Sequence, residues 1–317
     1  MDVIATLRYL LKRVLMMIPT MLAIILVVML VMNYVPGGGL RSFSSRGEGD
    51  WLDSALEKLN LHDTLAGIYA RYVYNICHGQ FGTLRQTGRL MGNDLRMRVG
   101  NTLKISGAGI AFSLIFGIPL GFTAALYKGR AADNGISVVT LVLSSIPSYC
   151  VAVICSMIFV VWLHWLPLYG FSSPLHYVMP MLVTALPGMA IITAITRSAV
   201  LNVLGQQYVT VLRAGGVAQA RILYVHVLRN AMVIVMSSFQ NIAISILCSG
   251  MIAENFFTVP GLGSSLVSSV SSRSVYITLA CIVLLSAMLM VVSLVCDVLC
   301  ILVDPRMRQK LAGGARI

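Results

Sequence analysis

The decisive stretch of this chain is GQQYVTVLRAGGVAQARILYVHVLRNAM, residues 205–232, a basic sequence with consecutive glycines at 215 and 216. Four long apolar runs precede it and two follow, so it must lie on the same side of a membrane as the N-terminus. Its arginines indicate that this side is the cytoplasm, because Lys and Arg collect in short cytoplasmic loops. We refer to residues 201–230 as the Gly-Gly segment.

The composition identifies an integral membrane protein. Of 317 residues, 58% are hydrophobic and 11% charged, and the mean hydropathy is +0.87. About 20 apolar residues cross the hydrocarbon core as a helix, and the runs reach that length repeatedly without the alternation of a β-barrel strand. The predicted fold class is all-α, a polytopic protein of about six transmembrane helices. The predicted spans are 14–35, 102–127, 135–163, 177–200, 231–252 and 277–303.

The sequence predicts a membrane anchor at the N-terminal apolar run and a large outer loop after it. The run is too long for the apolar core of a signal peptide, so we expect it to remain as an anchor. Residues 36–101 form a large outer loop with candidate helices at 51–61 and 66–78. The second helix carries Tyr69, Tyr72 and Tyr74, a residue type that favours the membrane interface. It is interpreted as a cap on the outer mouth, with a solvated loop of no function as the alternative.

The net charge of +12 could indicate nucleic-acid binding or membrane topology. Of the 23 Lys and Arg residues, 13 fall on the predicted inner side, whereas the short outer loops carry only Arg273. This asymmetry predicts that both termini are cytoplasmic. Topology therefore accounts for most of the basic excess, and no nucleic-acid partner is expected.

Small residues and prolines predict how the helices pack. Gly117 and Gly121 form a GxxxG pattern, which favours close helix–helix approach in lipid. Prolines recur in the second to fourth spans, where they permit bends that serve either moving hinges or a static bundle. No internal duplication is visible, and six spans are few for a solute path. A partner subunit is therefore expected. The prolines are at 119, 147, 180 and 187.

The sequence lacks the common motifs of chemical catalysis. GxxxxGK[ST], HExxH and GxSxG are all absent, so no catalytic residue is predicted and any ATP must be hydrolysed elsewhere. The scattered His and Cys residues have no ligand spacing, so no metal site is expected. Asp297 is the one acid well inside a span. We interpret it as a partner for Arg8 or Arg13 near the interface, with a proton relay as the alternative.

Apolar stripes on the Gly-Gly segment predict two short helices that meet at Gly216. Tyr208, Val209 and Leu212 form the first stripe, and Ile222, Leu223, Val225 and Leu228 form the second. A polar face with Arg213, Gln219 and Arg221 is left over. This face is either a docking surface for a cytoplasmic partner or an interfacial helix on anionic lipid.

Motifs along the whole chain resemble one family. The pattern YVxxxRAxGxxxxxIxxxHxLRNA, from Tyr208 to Ala231, looks like the cytoplasmic coupling ("EAA") loop of ABC-importer permeases of the peptide and nickel class. Further family motifs occur in order. They are LRYLLKR near the N-terminus, FGT at 81–83, NTLKIS from 101, IPSY from 146, WLP from 165, AENFFTVPGLG at 253–263 and DPRMR at 304–308.

The resemblance implies a type I importer permease fold, half of a pair completed by a homologous permease. Two ABC ATPase subunits would bind ATP and Mg, a solute-binding protein would deliver the solute, and this chain would hold no cofactor. The coupling residues would be Tyr208, Arg213, Ala214, Gly215, Gly216, Arg221, His226, Arg229 and Asn230. Outer-mouth residues would be Glu254, Pro260, Gly261 and Gly263.

Two departures from the family pattern affect details. The turn after the first span, often PGDP, begins at Pro36 and continues with three glycines, and Gly215 replaces a common charged residue. LRAGGV somewhat resembles relatives that handle nickel or metal chelates, so peptide and nickel chelate both stay open as solutes. The rival classes are an autonomous ion-coupled carrier or channel and a membrane enzyme or sensor.

Overall fold

The computed structural model describes residues 3–34, 64–79, 91–272 and 274–303. Helices make up most of these residues, and no strand occurs among them. A π-helical stretch, Met157–Trp162, directly follows the helix Ser148–Ser156, and another, Ile222–Val227, lies between the helices Gln219–Arg221 and Leu228–Phe256. The helices are α1 (Val3–Tyr34), α2 (Leu65–Cys77), α3 (Met91–Leu126), α4 (Ala131–Ser145), α5 (Ser148–Ser156), α6 (Val178–Leu204), α7 (Gln207–Ala214), α8 (Gln219–Arg221), α9 (Leu228–Phe256), α10 (Leu262–Ser271) and α11 (Val275–Val303).

The all-α, multi-span prediction is confirmed. Among the described residues, five helical stretches are long and apolar enough to cross a membrane, and six if α4 and α5 count as one broken span. The five are Arg8–Met32, Gly92–Leu126, Pro174–Leu204, Gln219–Phe256 and Ile277–Val303.

The predicted span 135–163 contains two helices, α4 and α5, and Pro147 lies at the break between them. The chain bends by 109° between α4 and α5. Pro147 lacks a backbone N–H and disfavours helical geometry in the preceding residue, and Ile146 is accordingly extended, with φ −80° and ψ 127°. The 15 residues of α4 cover about 22 Å, less than the roughly 30 Å hydrocarbon core.

Two further boundaries differ from the predictions. α3 begins at Met91, so the end of the predicted 36–101 loop is helical, with an Arg98–Asp94 ion pair of 2.6 Å one turn apart. The second half of the Gly-Gly segment is not a separate short helix, because Gln219–Phe256 forms one continuous helical stretch. The candidate helix at 51–61 and the motifs at 81–83 and 304–308 lie outside the described residues.

The chain divides into two compact units. The first contains described residues from Met1–Leu11, Thr102–Val259 and Val291–Ile317, and the second those from Lys12–Asn101 and Pro260–Met290. Within the first unit α6 is central, since it packs against α4, α5 and α9.

α2 belongs to the second unit and confirms the helix predicted at 66–78. Thr64 caps its N-terminus by accepting a hydrogen bond from the Gly67 N–H at 3.2 Å. The Tyr69 hydroxyl donates to the Leu22 carbonyl at 3.0 Å, and Tyr72 is buried in a cluster with α1 and α11. Contacts with neighbouring helices therefore hold these two tyrosines, and their location at the membrane interface stays a prediction.

The GxxxG prediction is confirmed in the first unit. A Cβ at Gly117 would lie 3.0 Å from the Met189 carbonyl oxygen, and one at Gly121 would overlap the Thr193 carbonyl oxygen. The two glycines therefore bring the backbone of α3 against that of α6. Backbone atoms cannot rotate away as a side chain can, so larger residues do not fit here.

We expect Gly121→Ala to destabilise the protein by about 1–3 kcal/mol, because the added methyl group meets backbone. Gly107→Ala is the matched control on the same helix, since nothing lies within 4 Å of its added Cβ. That change should be neutral or stabilising by up to about 1 kcal/mol through helix propensity. Thermal unfolding in detergent measures both, and equal midpoints for the two variants would contradict the assigned contact.

Candidate functional site

The turn at the centre of the Gly-Gly segment is a Schellman motif. The Val217 N–H donates to the Leu212 carbonyl and the Gly216 N–H donates to the Arg213 carbonyl, each at 3.1 Å. Gly216 has φ +75°, a left-handed conformation that favours glycine, whereas Gly215 has an ordinary φ of −76°. The turn therefore favours glycine at position 216, because the backbone there is left-handed. The backbone at position 215 imposes a weaker preference for glycine.

An apolar cluster anchors both sides of this turn. Val209 on α7 and Ile222 and Val227 on the π-helical stretch are fully buried, together with residues at the ends of α3 and α6 and the start of α9. Leu212 and Val217, which flank the turn, pack against the same cluster. The segment is therefore fastened to three long helices of its unit.

The structure corrects one residue of the second apolar stripe. Val225 is exposed, and Val227 occupies the buried position instead. The cause is the π-helical geometry of Ile222–Val227, in which hydrogen bonds run between residues five apart. Residues 222 and 227 consequently share a face, which an ordinary 3.6-residue period does not predict.

One side-chain hydrogen bond closes the segment. The Asn230 amide donates to the Tyr208 hydroxyl oxygen at 2.8 Å, across 22 residues of sequence. This bond joins the start of α7 to the start of α9. Sequence reasoning selected both residues from their place in a motif, and the structure shows that they contact each other.

The outward side of the segment is exposed around the turn. Among the predicted coupling residues, Tyr208 and His226 are partly buried. The others are exposed, namely Arg213, Ala214, Gly215, Gly216, Arg221, Arg229 and Asn230. Val211 and Tyr224 add exposed apolar surface, and nothing lies within 4 Å of a Cβ built on Gly216. The surface is basic, partly apolar and anchored from beneath.

Sequence reasoning missed a partly buried ion pair near this segment, in the same unit. Arg197 on α6 donates from Nε to Asp133 Oδ1 at 2.5 Å and from Nη2 to Oδ2 at 2.7 Å. Asp133 lies in the first turn of α4 and also accepts the Gly129 N–H at 2.9 Å. An acid in a first helical turn is a recognisable signal. Its partner, 64 residues away, is not.

The residues expected at the outer mouth are mostly buried within the chain. In the first unit, Glu254 has no exposed surface, and its carbonyl accepts the Val259 N–H at 2.9 Å. In the second unit, Gly261 and Gly263 are buried, and the Pro260 carbonyl accepts from the Asn101 amide at 2.9 Å. Their assignment to the mouth stays a prediction.

The remaining candidate residues show no reactive cluster. Asp297 is buried in α11, and its pairing with Arg8 or Arg13 stays a prediction. Across residues 3–34, 64–79, 91–272 and 274–303, no three His, Cys, Asp or Glu residues are placed to hold a metal ion. The Cys300 thiol donates to the Met236 carbonyl at 3.0 Å, a packing contact between α11 and α9.

Residues 117–309, which include the whole anchored segment, match the family described as "Binding-protein-dependent transport system inner membrane component". The chain belongs to this family. It is 30% identical over 306 residues to the glutathione transport system permease protein GsiC of Salmonella paratyphi A (strain ATCC 9150 / SARB42), covering 96% of this chain and 100% of the relative. Identity to the protein of that name from Escherichia coli (strain K12) is 29% over the same shares.

Family membership confirms the resemblance to importer permeases. The chain is a multi-pass inner-membrane permease component of a binding-protein-dependent ABC importer. The relatives carrying the name are permease subunits of glutathione transport systems.

We expect Gly216→Ala to loosen the central turn by about 1–2 kcal/mol, because an L-residue is strained at positive φ. Gly215→Ala is the control, since its φ is negative and its Cβ would meet the Val211 carbonyl oxygen at a tolerable 3.4 Å. Hydrogen exchange at the Gly216 and Val217 amides should accelerate in the first variant and change little in the second. Equal protection in both variants would show that the turn does not depend on Gly216.

Proposed function

We propose that this chain forms half of a solute translocation path with a homologous permease, and that its Gly-Gly segment docks on an ABC ATPase subunit. One observation supports the proposal above the others. The segment combines an exposed basic and apolar outer surface with an inner face fully buried against the ends of α3, α6 and α9. A partner that moves such a surface must also move the helices beneath it.

The energy for this movement comes from the partner ATPases, which hold ATP and Mg. This chain transmits the movement. The Schellman turn presents the exposed docking surface, and the buried residues Val209, Ile222 and Val227 pass the displacement of that surface to the helices. Both termini and the Gly-Gly segment lie in the cytoplasm in this proposal, as the Lys and Arg distribution indicates. A solute-binding protein meets the opposite side.

The solute that we propose is a small peptide of the size of glutathione, a tripeptide. Support comes from the relatives named as glutathione transport permeases, which this chain matches over 96% of its length. A nickel chelate remains the competing solute and is an outcome of the test below.

The transport test uses proteoliposomes that contain this chain, the second permease and both ATPases, with the cognate binding protein outside. We expect ATP-dependent uptake of labelled glutathione or short peptides, and none from vesicles that hold this chain alone. Uptake of nickel chelate instead of peptide would replace the proposed solute. Transport by this chain alone on an ion gradient would overturn the importer mechanism.

Docking is tested with Ala214→Trp, which adds bulk to the exposed surface without changing a glycine. We expect normal membrane insertion but at least about a tenfold loss of ATPase association, because the indole blocks close approach. Leu175→Trp is the control, an exposed position before the opposite end of α6. Copurification of the ATPase measures both. Wild-type recovery with Ala214→Trp would place docking elsewhere.

A further inference from the structure

α4 is attached to the rest of its unit mainly through α6, and its apolar packing is thin. Only Asp133 and Thr140 of its 15 residues are buried. The rest of the helix is exposed or partly exposed, and four of its large apolar residues are exposed. The exposed ones are Val138, Val139, Leu141 and Val142. A polar contact adds to this helix packing.

The Asp133–Arg197 pair supplies that contact. Its geometry is bidentate, the strongest arrangement available to an arginine and a carboxylate. The Asp133 side chain is 2% exposed and the Arg197 side chain 32%. Removing Arg197 would leave the buried carboxylate of Asp133 without its compensating charge. The two helices therefore resist separation at this point.

The pair also lies at one end of a groove between the same two helices. The groove has a volume of about 310 Å³ and is lined partly by hydroxyl side chains, including Ser137, Thr140 and Thr193, with Arg197 among its lining residues. The separation of α4 and α6 sets its width. Because the ion pair keeps α4 and α6 together, it also fixes the width of the groove beside the pair.

α6 connects the pair to the Gly-Gly segment. Val200 and Val203, one and two turns beyond Arg197, are buried in the apolar cluster that contains Val209 and Ile222. Displacement of the segment is thereby passed to α6 by packing. α4 has no residue in that cluster, and it meets α6 through helix packing and through the Asp133–Arg197 pair.

We propose that the Asp133–Arg197 pair is a positioning element that makes α4 travel with α6 when the Gly-Gly segment is displaced. The proposal rests on the proposed function and adds the means by which the motion reaches α4. Asp133 and Arg197 touch no solute in this role. They act by keeping the groove between the helices at a set width while the bundle changes conformation.

The first test replaces both charges with amides, Asp133→Asn with Arg197→Gln, so that no buried charge is left alone. In the full importer complex we expect ATP hydrolysis within about twofold of wild type but transport per ATP about tenfold lower. Arg130→Gln, an exposed change in the same turn that leaves the pair intact, is the control and should transport normally. If the double variant transports as much solute per ATP as the wild type, the pair serves only the stability of the fold and the proposal is overturned.

A second measurement needs no disruption of the pair. Spin labels at two exposed positions, Val139→Cys on α4 and Ser198→Cys on α6, report the distance between the helices with and without trapped ATP. The exposed cysteines Cys77, Cys150 and Cys248 are replaced by serine beforehand. A constant distance supports joint movement, and a change of about 5 Å or more, the size of a one-turn shift, overturns it.

The outcomes separate this proposal from the function on which it rests. If the wild-type complex shows no ATP-dependent transport, the importer mechanism itself fails. If the wild type transports and the double variant transports equally well, only the role of the pair fails.

Discussion

Close approach of α3 and α6 at Gly117 and Gly121 is the constraint on which the first unit depends. Lipid tails are as apolar as leucine, so helices in a membrane gain little from hydrophobic burial and associate through close packing. The absent Cβ atoms let backbone meet backbone at the Met189 and Thr193 carbonyls. α6, held in this way, supplies the surface against which α4, α5 and α9 pack.

The Gly-Gly segment combines a local turn with a tertiary attachment, which the proposed docking role requires. Its chain reversal is local, because Gly216 at positive φ and two turn hydrogen bonds produce it. Its attachment is tertiary, because the buried residues on either side meet the ends of helices that are distant in sequence. An exposed turn without that anchorage could bind a partner, but it could not transmit the partner's movement to the spans.

The first unit uses two kinds of force for two kinds of contact. Small residues and apolar packing join α3, α6 and α9, whereas a bidentate ion pair joins α4 to α6 where apolar packing is thin. Asp133 illustrates the limit of sequence reasoning. Its place in the first turn of a helix can be predicted from the sequence, but the position of Arg197 opposite it depends on how two helices pack.

The sequence by itself determined the all-α class, the number of apolar runs, the GxxxG contact and the glycine turn, because length, hydropathy and backbone preference act over a few residues. The resemblance also selected the Gly-Gly segment, which lies within the residues that match the family. Only the tertiary structure decided the 109° break at Pro147, the burial of Val227 in place of Val225, the Tyr208–Asn230 bond and the Asp133–Arg197 pair. Each depends on which distant residues meet, or on how far a helix bends or widens to let them meet. No local pattern encodes that.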